Sequence, residues 1–207
     1  MIRDKRSFFL ILLYAAVLIA GGFGVYRLWS LKHAMAGLDN TALGNFQGSA
    51  DAPKTIVEFL DYRCSYCRAI DPTMQEVLAR NPDVKIVYRH YPVFGKPSVI
   101  EAEVALAAGM QGKFAEAHNI LITRDNPITD REVEEIAAAL GLDMERFRKD
   151  LKGPEIGELL LNTMDTTHIL KIGATPSFVV GDIVYTMNDG KPTVEMFESL
   201  LAEAYGH

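Results

Sequence analysis

Cys64 and Cys67 are the only thiols in the 207 residues, and they lie two residues apart in the segment DYRCSYCRAIDP. A disulfide that closes so short a loop hardly restricts the unfolded chain, so it would stabilise the fold very little. A tetrahedral zinc site needs four ligands, and none of the five histidines stands at ligand spacing from the pair. The spacing therefore favours reversible thiol–disulfide exchange, with a structural disulfide and a metal site as the alternatives.

Two predicted elements must position this pair. Residues 55–60 are rich in β-branched and aromatic residues, which predicts a strand, and residues 65–80 form a helical pattern that Asn81-Pro82 ends. A second strand is predicted at residues 84–90, and it should run parallel to the first because a helix connects the two. The thiols are thus expected where a strand passes into a helix.

Cys64 would then lie at the start of the helix, where free backbone N–H groups and the positive end of the helix dipole stabilise a thiolate. We expect an accessible, ionised Cys64 to act as the nucleophile. Cys67, one turn inward, would be more buried and would resolve a mixed disulfide by attacking Cys64. Ser65 and Tyr66 supply the N–H groups and side chains nearest the Cys64 sulfur, so they are expected to tune the redox potential.

Charge is distributed unevenly along the chain. Residues 1–36 carry a net charge of +4, and residues 37–207 carry −10. An acidic body argues against nucleic acid as a partner, because phosphate binding needs a basic face. Close to the thiols, Arg63 and Arg68 either stabilise the thiolate or point into solvent, and the sequence supports both interpretations equally.

Beyond the second strand, the sequence predicts a helical block, a hairpin and a last helix, at residues 97–167, 177–186 and 193–205. Thr129 and Glu132 have the spacing of a capping box, which opens a helix within the block. In the hairpin, Gly181-Asp182 has glycine at the first loop position, as a type II′ turn prefers.

The amino terminus contains a 19-residue run without a charge, FFLILLYAAVLIAGGFGVY, at residues 8–26. At about 1.5 Å per residue, a helix of that length crosses a hydrocarbon layer of ~30 Å. We expect an uncleaved transmembrane anchor at residues 8–28. Its N terminus, residues 1–7, should be cytoplasmic, because more basic residues precede the run than follow it. A cleaved signal peptide is the alternative, since Ala34-Met35-Ala36 resembles a cleavage site. Both interpretations export the rest of the chain.

These features together resemble the DsbA-like branch of the thioredoxin superfamily, which consists of exported thiol–disulfide oxidoreductases. The resemblance rests on the motif VEFLDYRCSYC, on Pro72, on GATPSF at residues 173–178 and on GKFAEAHNIL at residues 112–121. It covers about residues 40–205.

The resemblance implies a domain organisation. An α/β thioredoxin fold would comprise residues 51–96 and 168–207, and an inserted helical domain would comprise residues 97–167. The sequence itself assigns residues 29–50 to a linker behind the transmembrane helix. A helix at residues 29–40 through which copies of the chain associate is an alternative to a monomer.

Three further residues acquire roles through the resemblance. Thr175 and Pro176 match the family's loop with a cis proline beside the active site, where the backbone of Thr175 would pair with a substrate peptide. Glu58 matches a buried acid under the cysteines, which would accept the proton of Cys67; the alternative is a strand residue that faces solvent. The dipeptide between the cysteines departs from the Pro-His of the well-known branch, and the threonine resembles isomerase-type and ScsC-type relatives.

Three functions fit these observations. The favoured one is an anchored protein-disulfide oxidase that acts on protein thiols, needs neither cofactor nor metal, and is reoxidised by a membrane redox partner. The second is an oligomeric disulfide isomerase or reductase. The third, of another class, is a non-catalytic binding or holdase module, or a metal-capturing one, in which the CxxC motif is incidental. We expect a single-pass protein of the bacterial inner membrane whose catalytic domain faces the periplasm.

Overall fold

The computed structural model describes residues 5–187 and 192–206, with side chains from Tyr14 onward, and the chain divides into two compact units at Gly37. The predicted cytoplasmic segment, residues 1–7, begins outside the described residues. The first unit is helix α1 (Lys5–Ala36). Its stretch Tyr14–Ala36 has the length and the apolar composition to cross a membrane, and it overlaps the predicted anchor.

The second unit is built on a five-stranded mixed sheet in the order β1-β3-β2-β4-β5. Its strands are β1 (Phe46–Gly48), β2 (Lys54–Leu60), β3 (Val84–His90), β4 (Ser177–Val180) and β5 (Ile183–Thr186). Strands β2 and β3 are parallel, as predicted, and the other neighbouring pairs are antiparallel. Helices cover both faces of a parallel pair, which explains why β2 and β3 are almost entirely buried.

Strand β1 lies within the segment that the sequence assigns to a linker. It pairs with β3 through the register Phe46↔Val87 to Gly48↔Lys85. Only three residues long and ended by a glycine, it lacks the period-2 alternation from which a strand can be predicted. Its pairing is therefore set by tertiary contacts, among them the hydrogen bond from Tyr88 N–H to the carbonyl oxygen of Asn45, at 2.8 Å.

Seven helices of this unit are described: α2 (Ser65–Arg80), α3 (Lys96–Gly109), α4 (Phe114–Ile122), α5 (Asp130–Ala139), α6 (Met144–Asp150), α7 (Pro154–Leu170) and α8 (Val194–Tyr205). Helices α3–α7 follow one another between β3 and β4. A thioredoxin-like sheet with a helical insertion is the fold that the family resemblance implies.

Local signals at the element ends are also confirmed. Thr129 and Glu132 form the predicted capping box at the start of α5. Gly181 has φ +57°, which the first position of a type II′ turn requires. Helix α2 ends at Arg80, where Asn81-Pro82 was expected to stop it.

Candidate active site

The end of β2 and the start of α2 place the two cysteines side by side. Cys64 is the N-cap residue of α2 with extended backbone angles, and its N–H donates to the carbonyl oxygen of Asp61 at 3.0 Å. Cys67 lies one turn further and is fully buried, whereas Cys64 is 3% exposed. Cys64 is therefore less accessible than the sequence suggests.

The surroundings of Cys64 lower the pKa of its thiol to about 5. The largest cause is a hydrogen bond from the Cys67 thiol; burial opposes it, and the Thr175 side chain and the backbone N–H groups of Cys67 and Tyr66 act in the same direction as the Cys67 thiol. All these donors are uncharged. The helix start therefore stabilises a thiolate through hydrogen bonds, in the way that helix N-termini do in general.

Thr175 contacts the sulfur from the opposite side of the site. Its carbonyl oxygen lies 3.2 Å from Cys64 Sγ and accepts the S–H hydrogen bond of the neutral thiol. Its hydroxyl oxygen is buried and has no hydrogen-bond partner among the described residues. When Cys64 ionises, that hydroxyl can donate to the thiolate, which explains why the Thr175 side chain lowers the Cys64 pKa. The bond between Thr175 and Pro176 is cis.

The surroundings of Cys67 disfavour ionisation of its thiol. Burial, followed by its hydrogen bond to Cys64 and the nearby charges of Glu58 and Cys64, raises the pKa of this thiol well above its ordinary value. A resolving thiol reacts as the thiolate, so this environment calls for a base beside Cys67.

Glu58 is the acid closest to that role. It lies on β2, is 3% exposed, and forms no hydrogen bond or ion pair with the described residues. Burial, and then the charges of Asp71 and Cys64, raise its pKa well above the ordinary value of 4.5. A buried carboxyl without a partner is costly, so its presence under the thiols calls for an explanation.

Asp71, which the sequence interpretation missed, raises the Glu58 pKa through its charge and belongs to a buried hydrogen-bond chain. Its Oδ1 lies 3.2 Å from His118 Nε2, and His118 Nδ1 lies 3.1 Å from the Tyr62 hydroxyl. The same hydroxyl lies 3.2 Å from His90 Nε2. The one signal in the sequence is spacing: Asp71 follows Cys67 by four residues, and residues four apart share a helix face.

The two arginines of the motif contact other groups. Arg63 lies 3.6 Å from the Glu101 carboxylate and donates to the backbone carbonyls of Arg124 and Asp125. Arg68 donates to the carbonyl oxygen of Tyr62 at 3.2 Å. Neither cation is among the causes of the lowered Cys64 pKa. Of the two interpretations left open by the sequence, direct stabilisation of the thiolate gains no support.

An apolar surface flanks the motif. Tyr66 is 63% exposed, and Val93 and Phe94, in the loop after β3, are 46% and 55% exposed. The buried Asp61 ties this loop to the motif, since its carboxylate accepts from the N–H groups of Arg63, Val93 and Phe94 at 2.8, 2.7 and 3.2 Å. Exposed aromatic and aliphatic side chains beside a nucleophile suit an unfolded polypeptide as substrate.

Within the described part of the chain, no group of three or more His, Cys, Asp and Glu side chains is arranged to hold a metal ion. The site is composed of two thiols, the nearby acids Glu58, Asp61 and Asp71, and neutral hydrogen-bond donors. Such a set can form and break a disulfide by thiolate attack.

Comparisons with known proteins point to the same chemistry. The DSBA-like thioredoxin domain family matches residues 55–202. A thioredoxin-like oxidoreductase from Silicibacter pomeroyi is 31% identical, with a TM-score of 0.73 over 83% of this chain and 97% of that one. The catalytic domain of Proteus mirabilis ScsC has the same fold at 22% identity, with a TM-score of 0.71 over 85% of this chain and 97% of that one.

Curated relatives include a Na(+)/H(+) antiporter, NhaA 3 of Salinispora tropica, which is 31% identical over 136 residues. The match covers 65% of this chain and 21% of that protein, so the chain spans about a fifth of the length of this relative. The family match covers well over half of the chain, and the described fold and thiol pair agree with it. The chain therefore belongs to the DsbA-like thioredoxin family of thiol–disulfide oxidoreductases.

Proposed function

We propose that this chain is an exported protein-disulfide oxidase that passes a disulfide between Cys64 and Cys67 to protein thiols. The supporting observation is the Cys64 environment, which lowers the thiol pKa to about 5 without any charged partner. Stabilising the reduced thiolate makes the corresponding disulfide more oxidising. This favours oxidation of substrates over their reduction.

The proposed reaction is two successive exchanges. A substrate thiolate attacks Cys64 Sγ of the oxidised site, which breaks the Cys64–Cys67 bond and leaves the electron pair on Cys67 sulfur. A second substrate thiolate then attacks the substrate sulfur of the mixed disulfide. It forms the substrate disulfide and releases Cys64 as a thiolate, a good leaving group because of its low pKa. Two electrons pass from the substrate to the protein.

Trapping tests these roles. In the Cys67→Ser variant, the Cys64 thiolate can still attack a substrate disulfide, the reverse of the proposed exchange, but Cys67 is no longer there to displace the substrate from the mixed disulfide. Substrate proteins should therefore accumulate on Cys64 and be released by reductant. The matched control carries both Cys64→Ser and Cys67→Ser and should trap nothing. Capture by the double variant, or none by the single variant, would contradict the proposed exchange.

The direction of electron flow needs a separate experiment. The oxidised protein, added to a reduced peptide with two cysteines, should form the peptide disulfide stoichiometrically. The reduced protein should reduce insulin slowly. Rapid insulin reduction with little peptide oxidation would instead identify a reductase.

A disulfide isomerase or reductase is the second candidate, because α1 continues beyond the apolar run to Ala36 and exposes Leu28 and Trp29. Such a helix can join copies of the chain through residues 29–40. Size-exclusion chromatography of the full chain in detergent, compared with a chain that starts at Leu38, separates the candidates. An oligomer that dissociates on truncation, and that reshuffles scrambled disulfides, would favour the isomerase.

We further propose that α1 anchors the chain in the bacterial inner membrane with the thiols on the periplasmic side, where a membrane redox partner reoxidises them. The 23-residue apolar stretch Tyr14–Ala36 supports this anchor. A membrane-impermeant maleimide should label reduced Cys64 in intact spheroplasts, and the protein should stay with the membrane in alkaline carbonate. Labelling only after lysis would contradict the orientation.

A further inference from the structure

The loop between β3 and α3, residues 91–95, exposes two large apolar side chains on a backbone that is held in place. Val93 and Phe94 are 46% and 55% exposed. A surface loop ordinarily leaves its backbone N–H groups to water, and its conformation then varies. The 91–95 loop instead bonds its N–H groups to the protein, so its fixed shape calls for an explanation.

These N–H groups are bonded to the end of β2 and to the residue after it. Tyr91 N–H donates to the carbonyl oxygen of Leu60 at 2.8 Å. Residue 92 is a proline and has no N–H. The N–H groups of Val93 and Phe94 both donate to Asp61 Oδ2, at 2.7 and 3.2 Å. Every N–H donor from residue 91 to residue 94 is therefore satisfied inside the protein.

The carbonyl groups of the same loop are not used in this way. No donor among the described residues bonds the carbonyl oxygens of residues 91–94. These acceptors and the two apolar side chains are thus available to another molecule. An extended polypeptide matches them, because it supplies backbone N–H donors along its length and apolar side chains between them.

Asp61 joins the 91–95 loop to the nucleophile. Its carbonyl oxygen accepts from Cys64 N–H at 3.0 Å, and its Oδ1 accepts from Arg63 N–H at 2.8 Å. The residue is 2% exposed, and a buried carboxylate is costly unless hydrogen bonds satisfy it, as three N–H donors do here. One residue therefore fixes both the start of α2 and the loop that carries the exposed apolar side chains.

We propose that Asp61 is a positioning residue that holds the 91–95 loop beside Cys64, so that the loop binds an apolar side chain of the substrate next to the substrate's cysteine. The inference rests on the proposed function and names the substrate class of the same site: extended polypeptides with an apolar residue beside the cysteine. Asp61 itself touches no substrate. Val93 and Phe94 make the apolar contact, and the loop carbonyls accept from the substrate backbone. A loop that is ordered before binding spares the complex the cost of ordering it.

The test uses two peptides that differ in one residue. Each contains one cysteine whose sulfur carries a thionitrobenzoate group, and the residue after the cysteine is leucine in one peptide and serine in the other. The Cys64 thiolate attacks the peptide sulfur, a disulfide forms between Cys64 and the peptide, and thionitrobenzoate leaves with the electron pair. Its absorbance gives the rate for the full chain in detergent. The ratio of the two rates cancels the reactivity of Cys64, because the same thiolate attacks both peptides.

The wild type should react roughly tenfold faster with the leucine peptide at low peptide concentration, as expected for burying part of a large apolar side chain. The difference should lie in the half-saturating peptide concentration and not in the limiting rate. Phe94→Ser should remove most of this preference. Leu161→Ser is the control, because Leu161 is a similarly exposed apolar residue on α7, and it should keep the wild-type ratio.

The Asp61 variants test whether this residue acts through the loop. Asp61→Ala should lower the ratio as Phe94→Ser does, and Asp61→Asn, which keeps one acceptor oxygen, should restore part of it. Combining Asp61→Ala with Phe94→Ser should lower the ratio no further, since both changes act on one contact. Amide hydrogen exchange at residues 93 and 94 should be slow in the wild type and faster in Asp61→Ala.

Equal rates for the two peptides in the wild type would overturn the proposal, and so would a ratio that Phe94→Ser leaves unchanged. These two outcomes stay decisive even where Asp61→Ala does not fold. A further fall of the ratio in the double variant would place the effect of Asp61 outside the loop and would also overturn it. Failure of the proposed function looks different. In that case neither peptide would release thionitrobenzoate, or the release would survive Cys64→Ser.

Discussion

At the scale of single residues, the acidity of the two thiols depends on two neighbouring side chains. Thr175 acts on Cys64, and Glu58 acts on Cys67. The Thr175 hydroxyl is a buried donor without another partner among the described residues, placed to bond the Cys64 thiolate. Glu58 is a buried acid whose charge raises the Cys67 pKa, and in the proposed exchange it would receive the proton of Cys67. In the proposed exchange, Thr175 would make the nucleophile more acidic, and Glu58 would make the resolving thiol reactive.

Replacing Thr175 by valine tests the first of these. Valine has nearly the shape of threonine but no hydroxyl, so the thiolate loses one donor and the Cys64 pKa should rise above its value of about 5. The rate of alkylation by iodoacetamide as a function of pH gives this pKa directly. The control variant Thr123→Val changes an exposed threonine at the end of α4, and it should leave the Cys64 pKa unchanged.

Replacing Glu58 by glutamine should stabilise the protein at neutral pH. The folded-state pKa of Glu58 is raised, so the unfolded chain ionises first, and the wild type loses stability as pH rises above about 4.5. Glutamine is neutral at every pH and avoids this loss. We expect a gain of about 1–3 kcal/mol in the free energy of unfolding at neutral pH.

The pH dependence provides the check. Urea unfolding should show that the gain from Glu58→Gln disappears as pH falls below the unfolded-state pKa, where both side chains are neutral. A variant that is less stable than the wild type at neutral pH would contradict the burial of a carboxyl there. The same variant should resolve mixed disulfides slowly.

Much of this residue-scale picture could be predicted, and the reason is local. Strand and helix signals on either side of Cys64 define the N-cap position without knowledge of the rest of the chain. The sequence alone does not decide whether Glu58 is buried, because an acid on a strand can face either side of the sheet. Asp71 could not be found, since its partner His118 is 47 residues away on another helix.

At the scale of elements, the loop that follows β2 ties the catalytic motif to the helical insertion. Arg63 bridges from this loop to Glu101 on α3 and to the carbonyls of Arg124 and Asp125 after α4. Glu101 is fully buried, and burial raises its pKa while Arg63 lowers it. The position next to the nucleophile thus also joins two parts of the fold.

Removing the Arg63 cation should show how strongly the stability of the fold depends on this bridge. Arg63→Met leaves Glu101 buried without its nearby cation, and we expect a loss of about 2–4 kcal/mol in the free energy of unfolding at neutral pH. Adding Glu101→Gln should restore part of that loss. Arg131→Met, which breaks the exposed pair with Glu135, should have a much smaller effect. Strictly additive effects of the two substitutions in a urea-denaturation cycle would contradict the coupling.

Sequence patterns predicted elements where turn chemistry is strong and failed where it is weak. Helix α2 and the β4–β5 hairpin have proline, asparagine or glycine at their ends, which define the boundaries. Strand β1 has three residues and is held only by β3 and the packing around it. Its existence depends on distant partners, so no local signal reveals it.

At the scale of the whole molecule, the redox state of one pair of sulfurs affects the stability of the entire folded unit. The Cys64 thiolate is stabilised in the folded, reduced protein and not in the unfolded chain, where its pKa returns to an ordinary value near 9. A lowered folded-state pKa adds stability above the unfolded pKa, and this stability is lost as pH falls through about 5. Forming the disulfide removes this contribution.

The reduced protein should therefore unfold at a higher urea concentration than the oxidised protein at neutral pH. The difference should shrink as pH falls through about 5, where the Cys64 thiolate is protonated. Circular dichroism measurements on both redox forms provide the comparison. An oxidised form that is the more stable one at neutral pH would argue against a disulfide oxidase.

The neutral character of the donors around Cys64 has a consequence for the surroundings in which the protein can work. Mobile ions screen charge–charge attraction at distances beyond a few ångströms, but they act weakly on short hydrogen bonds inside a protein. The acidity of this thiol should therefore stay nearly constant from dilute buffer to molar sodium chloride. In the proposed extracytoplasmic location, where the ionic strength follows that of the medium, the Cys64 thiolate would persist through osmotic upshift and dilution alike.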